Sequence, residues 1–275
     1  MITSIKRNDS ENGLDQMFDY SAQDVENTNT IEVFGSGNLP LAIKEFEDIP
    51  LSNNSLYLIK TELTLTPTEI NAFVQSIKKY CNCKQDYDGY SWKAGVYIGK
   101  LIHNSNYEGN QNFPINTKNC KINYLAAELC SIDYKPIKIL IDGDVGYRFG
   151  YKSNDIAVKI NGDANQEFGV FSTNLSVVID GNVNSKFGEY STNLTALITK
   201  DAGENFAYNS SFLSAIVKGN TISLGPRTSD LTAFTHHEGQ GDNDDERMTF
   251  HSEKDVVNHP KYKKIIKKLE ESGLL

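Results

Sequence analysis

At 275 residues, with 39% hydrophobic and 23% charged residues, the chain holds enough apolar material to bury a sizeable core without a partner. A formal net charge of −9 excludes the basic field that gathers nucleic acid or an anionic membrane surface. No apolar run reaches bilayer-spanning length and Met1 to Arg7 lacks the apolar core of a secretory signal, so the expectation is a cytoplasmic protein with no nucleic-acid and no membrane partner.

Residues 1–30 are rich in Asn, Asp, Glu, Ser and Gln and read as a polar, loosely ordered leader. Residues 31–130 read as an α+β N-terminal region. Thr30 to Phe34 is strand-like, and Gly35-Ser36-Gly37-Asn38 marks a turn; a dinucleotide fingerprint fails there because Pro40 stands where the third glycine belongs. Residues 55–60 and 61–65 read as extended, the second with strict alternation. Thr66, Pro67 and Glu69 form a capping box ahead of a helix whose Ile70, Phe73, Val74 and Ile77 share one face. Residues 89–102 fit either a small-residue helix or a pair of strands, with Trp92 as a buried anchor. Residues 104–119 read as a polar loop, and 122–130 as a short helix or a degenerate first coil.

Cys81, Cys83, Cys120 and Cys130 read as reduced thiols, because Cys81-Asn82-Cys83 is tighter than a zinc knuckle. Cys130 lies 19 residues before Phe149, which predicts that it packs inward as a small hydrophobe.

From Ile141 to Ile222 the sequence repeats every 19 residues. The alternating apolar triplets Ile156/Val158/Ile160, Leu175/Val177/Ile179, Leu194/Ala196/Ile198 and Leu213/Ala215/Val217 predict strands laid one over the next. Val145, Ala164, Val183 and Ala202 form a second inward column, and Phe149, Phe168, Phe187 and Phe206 a third. No stretch within the period is long enough for a helix, so the units are coils of a β-solenoid. The Gly146, Asn165, Asn184, Gly203 column predicts a corner with positive φ, and Ser153, Ser172, Ser191 and Ser210 predict a hydroxyl ladder at a second turn.

Asp144, Asp163, Asn182, Asp201 and Asn220 share an edge column. Carboxylates on coils about 4.8 Å apart repel by roughly 0.9 kcal/mol in water, so Asp144 and Asp163 are candidate cation ligands; the alternative is a row of solvated Asx turns. A carbohydrate-active reading would set these carboxylates beside a basic residue, and Arg148 is the sole arginine of the repeat.

Gly143-Asp144-Val145-Gly146-Tyr147-Arg148-Phe149-Gly150 and Gly162-Asp163-Ala164-Asn165-Gln166-Glu167-Phe168-Gly169 resemble the Gly-x-Gly-x-Gly β-helix domain. That domain closes the large subunit of glutamate synthase and forms much of one of the subunits of formylmethanofuran dehydrogenase. Over residues 137–222 the resemblance implies a right-handed parallel β-helix that is non-catalytic and holds other domains or subunits. It carries no active-site residue onto this chain. Ile2 stands where an amidotransferase has its nucleophilic cysteine, and Lys200 and Ala207 replace family glycines.

Beyond the repeat, residues 229–251 read as an acidic loop, with His236 and His237 as further candidate metal ligands. Residues 252–275 read as a helical segment that starts at His259-Pro260 and sets Tyr262, Ile265, Ile266 and Leu269 on one face, expected to cap or flank the stack.

The fold expected is mainly β: a parallel β-helix over 131–228 with an α+β N-terminal region and a C-terminal helix. The functional expectation is a non-catalytic scaffold or interaction module, with a protein partner or a homo-oligomer and no cofactor, in an amidotransferase- or formylmethanofuran-dehydrogenase-like assembly. The alternative is an enzyme using the acidic edge or the N-terminal region.

Overall fold

Each 19-residue unit gives one strand, one phenylalanine of the spine and one serine of the ladder to the coil, and in a computed structural model the strands stack in sequence order. The structure describes residues 37–50, 59–81, 89–132, 135–221, 229–230, 232–235, 246–249 and 256–275. The expected leader, the strand-like 30–34 segment, most of the 55–60 segment, Cys83, His236 and His237 lie outside these residues.

Among the described residues, three helices, α1 (Leu39–Asp48), α2 (Pro67–Cys81) and α3 (Gly89–Tyr107), precede the strands β1 (Asn112–Asn116), β2 (Ile137–Asp142), β3 (Asn154–Asn161), β4 (Thr173–Ile179), β5 (Thr192–Ile198), β6 (Ser211–Val217), β7 (Thr232–Thr235) and β8 (Glu246–Thr249). Helix α4 (Pro260–Glu271) follows. The strands form one sheet in the order β1 to β8, every pair parallel. The fold is therefore mainly β, a solenoid with helices at its start and a helix after it. Its sheet runs past both expected limits of the β-helix region, to Asn112 and to Thr249.

The register is that of the repeat: Ile156 pairs with Leu175, Leu175 with Leu194 and Leu194 with Leu213. All three inward columns are buried. The phenylalanine rings stack nearly parallel, with centroids 5.0, 5.3 and 4.9 Å apart, close to the spacing of adjacent strands. Ser172, Ser191 and Ser210 each donate to the carbonyl three residues earlier, so the ladder closes the turn as expected. The Ser153 hydroxyl, at the start of the ladder, is buried without a hydrogen-bond partner, although the Ser153 backbone N donates to Gly150 O at 3.1 Å.

The leading coil differs. The 104–119 stretch expected to be a loop contains β1, and 122–130 is the degenerate coil rather than a helix, since Asn112 pairs with Lys138 and Cys130 bridges Asn154. Those pairs are 26 and 24 residues apart, against 19 later. The longer spacing overturns the inward placement of Cys130, which is exposed. Leu125 fills the position below Phe149: Gly150 N donates to Leu125 O just as Gly169 N donates to Phe149 O.

The positive-φ corner is also elsewhere. The column Gly146, Asn165, Asn184, Gly203 is not left-handed; Asn165 and Asn184 accept the next backbone amide at 2.8 Å. Four other columns are left-handed, with φ between 52° and 66°: those beginning at Arg148, Gly150, Lys152 and Asp155. Ala207 holds this conformation at φ 61° where its column mates are glycines, so the turn keeps its geometry despite the substitution.

Helix α2 begins with the expected capping box: Thr66 N donates to Glu69 Oε2 at 2.8 Å and Glu69 N to Thr66 Oγ1 at 3.3 Å. It closes the start of the solenoid, where Asn71 Oδ1 accepts Asn116 N and Gln75 Nε2 donates to Asn116 O, each at 2.9 Å. The 61–65 segment forms no strand; Asn104 Nδ2 donates to its Thr61 and Leu63 carbonyls instead. The ambiguous 89–102 stretch is helix α3, and a Cβ at Gly95 would collide with the Asn123 carbonyl. Trp92 is only half-buried, edge-on to Tyr124, while its neighbour Lys93 is fully buried and donates to Phe46 O and Ile49 O at 2.6 and 2.9 Å.

Helix α4 flanks the stack. Tyr262, Ile265, Leu269 and the following Leu274 cover the outward column Val178, Leu197, Ile216 and Phe234, forming a second core outside the solenoid. Its lysine-bearing face is not wholly solvated, since Lys268 donates to Asn193 Oδ1 at 2.8 Å.

Candidate functional site

Two surfaces of the solenoid carry polar or aromatic side chains in register. The first is the Asx edge. Asp144 Oδ1 accepts Asp163 N at 2.8 Å, Asp163 Oδ1 accepts Asn182 N at 2.7 Å, and Asp201 Oδ1 accepts Asn220 N at 2.8 Å. Each carboxylate thus receives the backbone amide one coil on. This ladder follows from the coil spacing, because a short side chain pointing along the stack reaches the equivalent amide of the next coil. Beside it runs an open groove of about 450 Å³, bordered by Asp144, Asp163, Asn182, Asp201 and Lys121.

Asp144 and Asp163 are therefore adjacent, as their spacing predicts, and each has one oxygen committed to the backbone. Among the described residues, no group of three or more His, Cys, Asp or Glu side chains is placed to hold a metal ion. Arg148, the basic residue considered for the acidic edge, is engaged in another cluster. Its Nε donates to Glu167 Oε2 at 2.6 Å and its Nη1 to Tyr124 Oη at 2.7 Å. Its guanidinium carbon sits 4.9 to 5.5 Å from the ring centroids of Tyr147, Tyr151 and Tyr124.

Burial pushes the Glu167 carboxyl up, but hydrogen bonds from Arg148 and Tyr147 and the charges of Arg148 and Lys186 outweigh it and hold the group below the usual range. Burial and the bond to Glu167 push the Tyr147 hydroxyl up to about 12. Burial and the neighbouring Glu167 charge raise Glu189.

The second surface is an aromatic edge that continues from this cluster. Phe171 and Tyr190 stack with centroids 5.0 Å apart and planes 10° apart. Tyr151 meets Phe171 edge-on at 5.8 Å, and Tyr208 meets Tyr190 edge-on at 5.7 Å. Phe171 is 47% exposed, Tyr190 40% and the neighbouring-column Phe212 59%. All three are left-handed, at φ 58°, 55° and 55°. An aromatic residue in that region is uncommon and costs about 1–2 kcal/mol.

Sequence patterning alone does not single out the exposed rings. A signal is present, since Lys152, Phe171, Tyr190 and Asn209 are 19 residues apart and two of the four are aromatic outside every inward column.

Comparison of the chain with protein-family models, with curated proteins and with solved structures returns no match. Among the described residues, no helix is long and apolar enough to cross a membrane.

Proposed function

We propose that this protein is a non-catalytic β-helix scaffold that binds another polypeptide through its aromatic edge. The observation that carries the reading is the identity of Phe171, Tyr190 and Phe212: bulky, exposed rings at left-handed positions. Folding alone favours Asn or Gly at such positions, as Asn174, Asn193 and Asn209 illustrate on the same turns. Residues that oppose the local backbone preference and leave apolar surface in water mark an interaction surface. The resemblance to the Gly-x-Gly-x-Gly β-helix supports the same role, because that domain holds other polypeptides.

Chemical cross-linking in expressing cells tests this. Wild type is expected to form protein adducts that Phe171→Asn/Tyr190→Asn loses and Asp144→Asn/Asp163→Asn retains. Adducts that persist in the aromatic variant would overturn the reading.

A second reading has the groove to favour it: an extended polar ligand such as a carbohydrate lying along Asp144, Asp163 and Lys121. Loss of turnover or glycan binding in Asp144→Asn/Asp163→Asn, with unchanged stability, would establish it.

A further inference from the structure

We infer that helix α4 is a reversible cover, which opens as a unit while the solenoid stays folded and which closes more tightly as salt rises. What it uncovers is the outward apolar column Val178, Leu197, Ile216 and Phe234.

The helix runs back along the stack, with Tyr262 against Phe234 of β7 at 5.4 Å between ring centroids and Lys268 bonded to Asn193 of β5. Its buried residues Tyr262, Ile265 and Leu269 belong to the second core, and none belongs to the core inside the coils. Departure of the helix removes no side chain from the inward columns, and β4 and β5 keep both their neighbours in the sheet. An element that can leave without breaking the main core opens at a lower free energy than the whole fold.

Three features oppose closure. Thr195 lies on the outward face between Ser176 and Ser214, is fully buried, and its hydroxyl has no hydrogen-bond partner. Helix α4 lies over β4, β5 and β6, so opening it returns this hydroxyl to water. Lys268 donates to a neutral acceptor, Asn193 Oδ1, and burial together with the Lys264 charge lowers its pKa.

The third feature is charge order. The first turn holds no acid, Lys261, Lys263 and Lys264 follow Pro260, and Glu270 and Glu271 stand in the last turn. Lysines at the N-terminus of a helix and glutamates at its C-terminus oppose the macrodipole. The Lys267 to Glu271 pair, at 3.6 Å, has its lysine on the N-terminal side, the weaker of the two orientations.

Salt screens these repulsions, since the screening length is about 8 Å at physiological ionic strength, and leaves the apolar contacts under the helix in place. The sign is the reverse of that of a surface ion pair, which salt weakens.

The test is hydrogen exchange of the full chain read by mass spectrometry, with α4 compared to β5 at low urea concentrations. The α4 amides are expected to exchange faster than those of β5 by about tenfold or more, through an opening with a small urea dependence. Raising sodium chloride from about 0.02 to about 0.3 M is expected to slow α4 by about threefold relative to β5. Lys264→Glu, a change at an exposed position, is expected to slow α4 by about threefold at low salt and to reduce the salt effect. Thr195→Val, which keeps the shape and removes the hydroxyl, is expected to slow it by about tenfold. Equal protection of α4 and β5 would mean that the helix opens only with the whole fold and overturns the inference. An α4 that exchanges faster with salt, or that Lys264→Glu leaves unchanged, overturns it as well.

Discussion

Lys268 Nζ, near the end of the C-terminal helix, donates at 2.8 Å to Asn193 Oδ1, 75 residues earlier. Asn193 in turn donates to Asn174 Oδ1 at 2.6 Å, and Asn174 to Asp155 Oδ1 at 2.7 Å. The helix is thus tied to a ladder of left-handed Asx residues as well as resting on Val178, Leu197, Ile216 and Phe234. Leu269, fully buried in that second core, is the residue whose truncation tests the attachment. Leu269→Ala is expected to cost about 3 kcal/mol, read as a lower midpoint in urea denaturation. Deletion of residues 260–275 is expected to leave a solenoid that binds a hydrophobic dye through the uncovered column.

The aromatic spine makes the strongest prediction about the interior. Phe187 stacks on both Phe168 and Phe206 and is 1% exposed. Phe187→Ala is expected to destabilise by about 4 kcal/mol, and Phe187→Leu by substantially less, because leucine fills most of the volume. Equal costs for the two would show that volume is not what the spine supplies.

Two glutamates give opposite pH signatures. Glu167 has a folded pKa held below its unfolded value, so its contribution is present at neutral pH and is lost as pH falls through the folded value. Glu189 is shifted the other way, so it lowers stability as pH rises through the carboxylate range. Glu167→Gln is expected to cost about 2 kcal/mol at neutral pH and to flatten the acid limb of the stability curve. Glu189→Gln is expected to raise stability at neutral pH and leave it unchanged in acid. Thermal melts across the acid range read both.

Backbone hand gives a paired test. Ala207 occupies φ 61° in a column otherwise made of glycine, so Ala207→Gly is expected to stabilise by about 1 kcal/mol. Gly169→Ala is expected to do the reverse at greater cost, because its Cβ would also come within 2.7 Å of Leu175 Cδ2.

The parts of the fold legible in the sequence are those where one side chain recurs in one environment. The inward triplets, the phenylalanine spine, the serine ladder and the Thr66–Glu69 cap each follow from a local pattern. The leading coil is not legible, because β1 offers only Phe113 and Ile115 as buried apolar residues and its 26-residue spacing breaks the period. Cys130 escapes the 19-residue register for the same reason. The left-handed columns are hidden because Arg148, Glu167, Phe171 and Tyr190 carry no local preference for that conformation; hydrogen bonds between coils impose it. Buried Lys93 is equally silent, since its role depends on where the helix α1 carbonyls end. Of the candidate site, the Asp144–Asp163 adjacency is readable from spacing. The aromatic edge is readable only by asking which recurring residues the core does not need.

The central claim is that Phe171 and Tyr190 serve association rather than folding, and thermal and urea unfolding of Phe171→Asn/Tyr190→Asn test it most directly. Relief of two left-handed aromatics offsets the lost ring contacts, so stability is expected to stay within about 1 kcal/mol of wild type while association disappears. A loss of about 3 kcal/mol or more, the cost of truncating a buried aromatic, would contradict the claim and assign these rings to the fold.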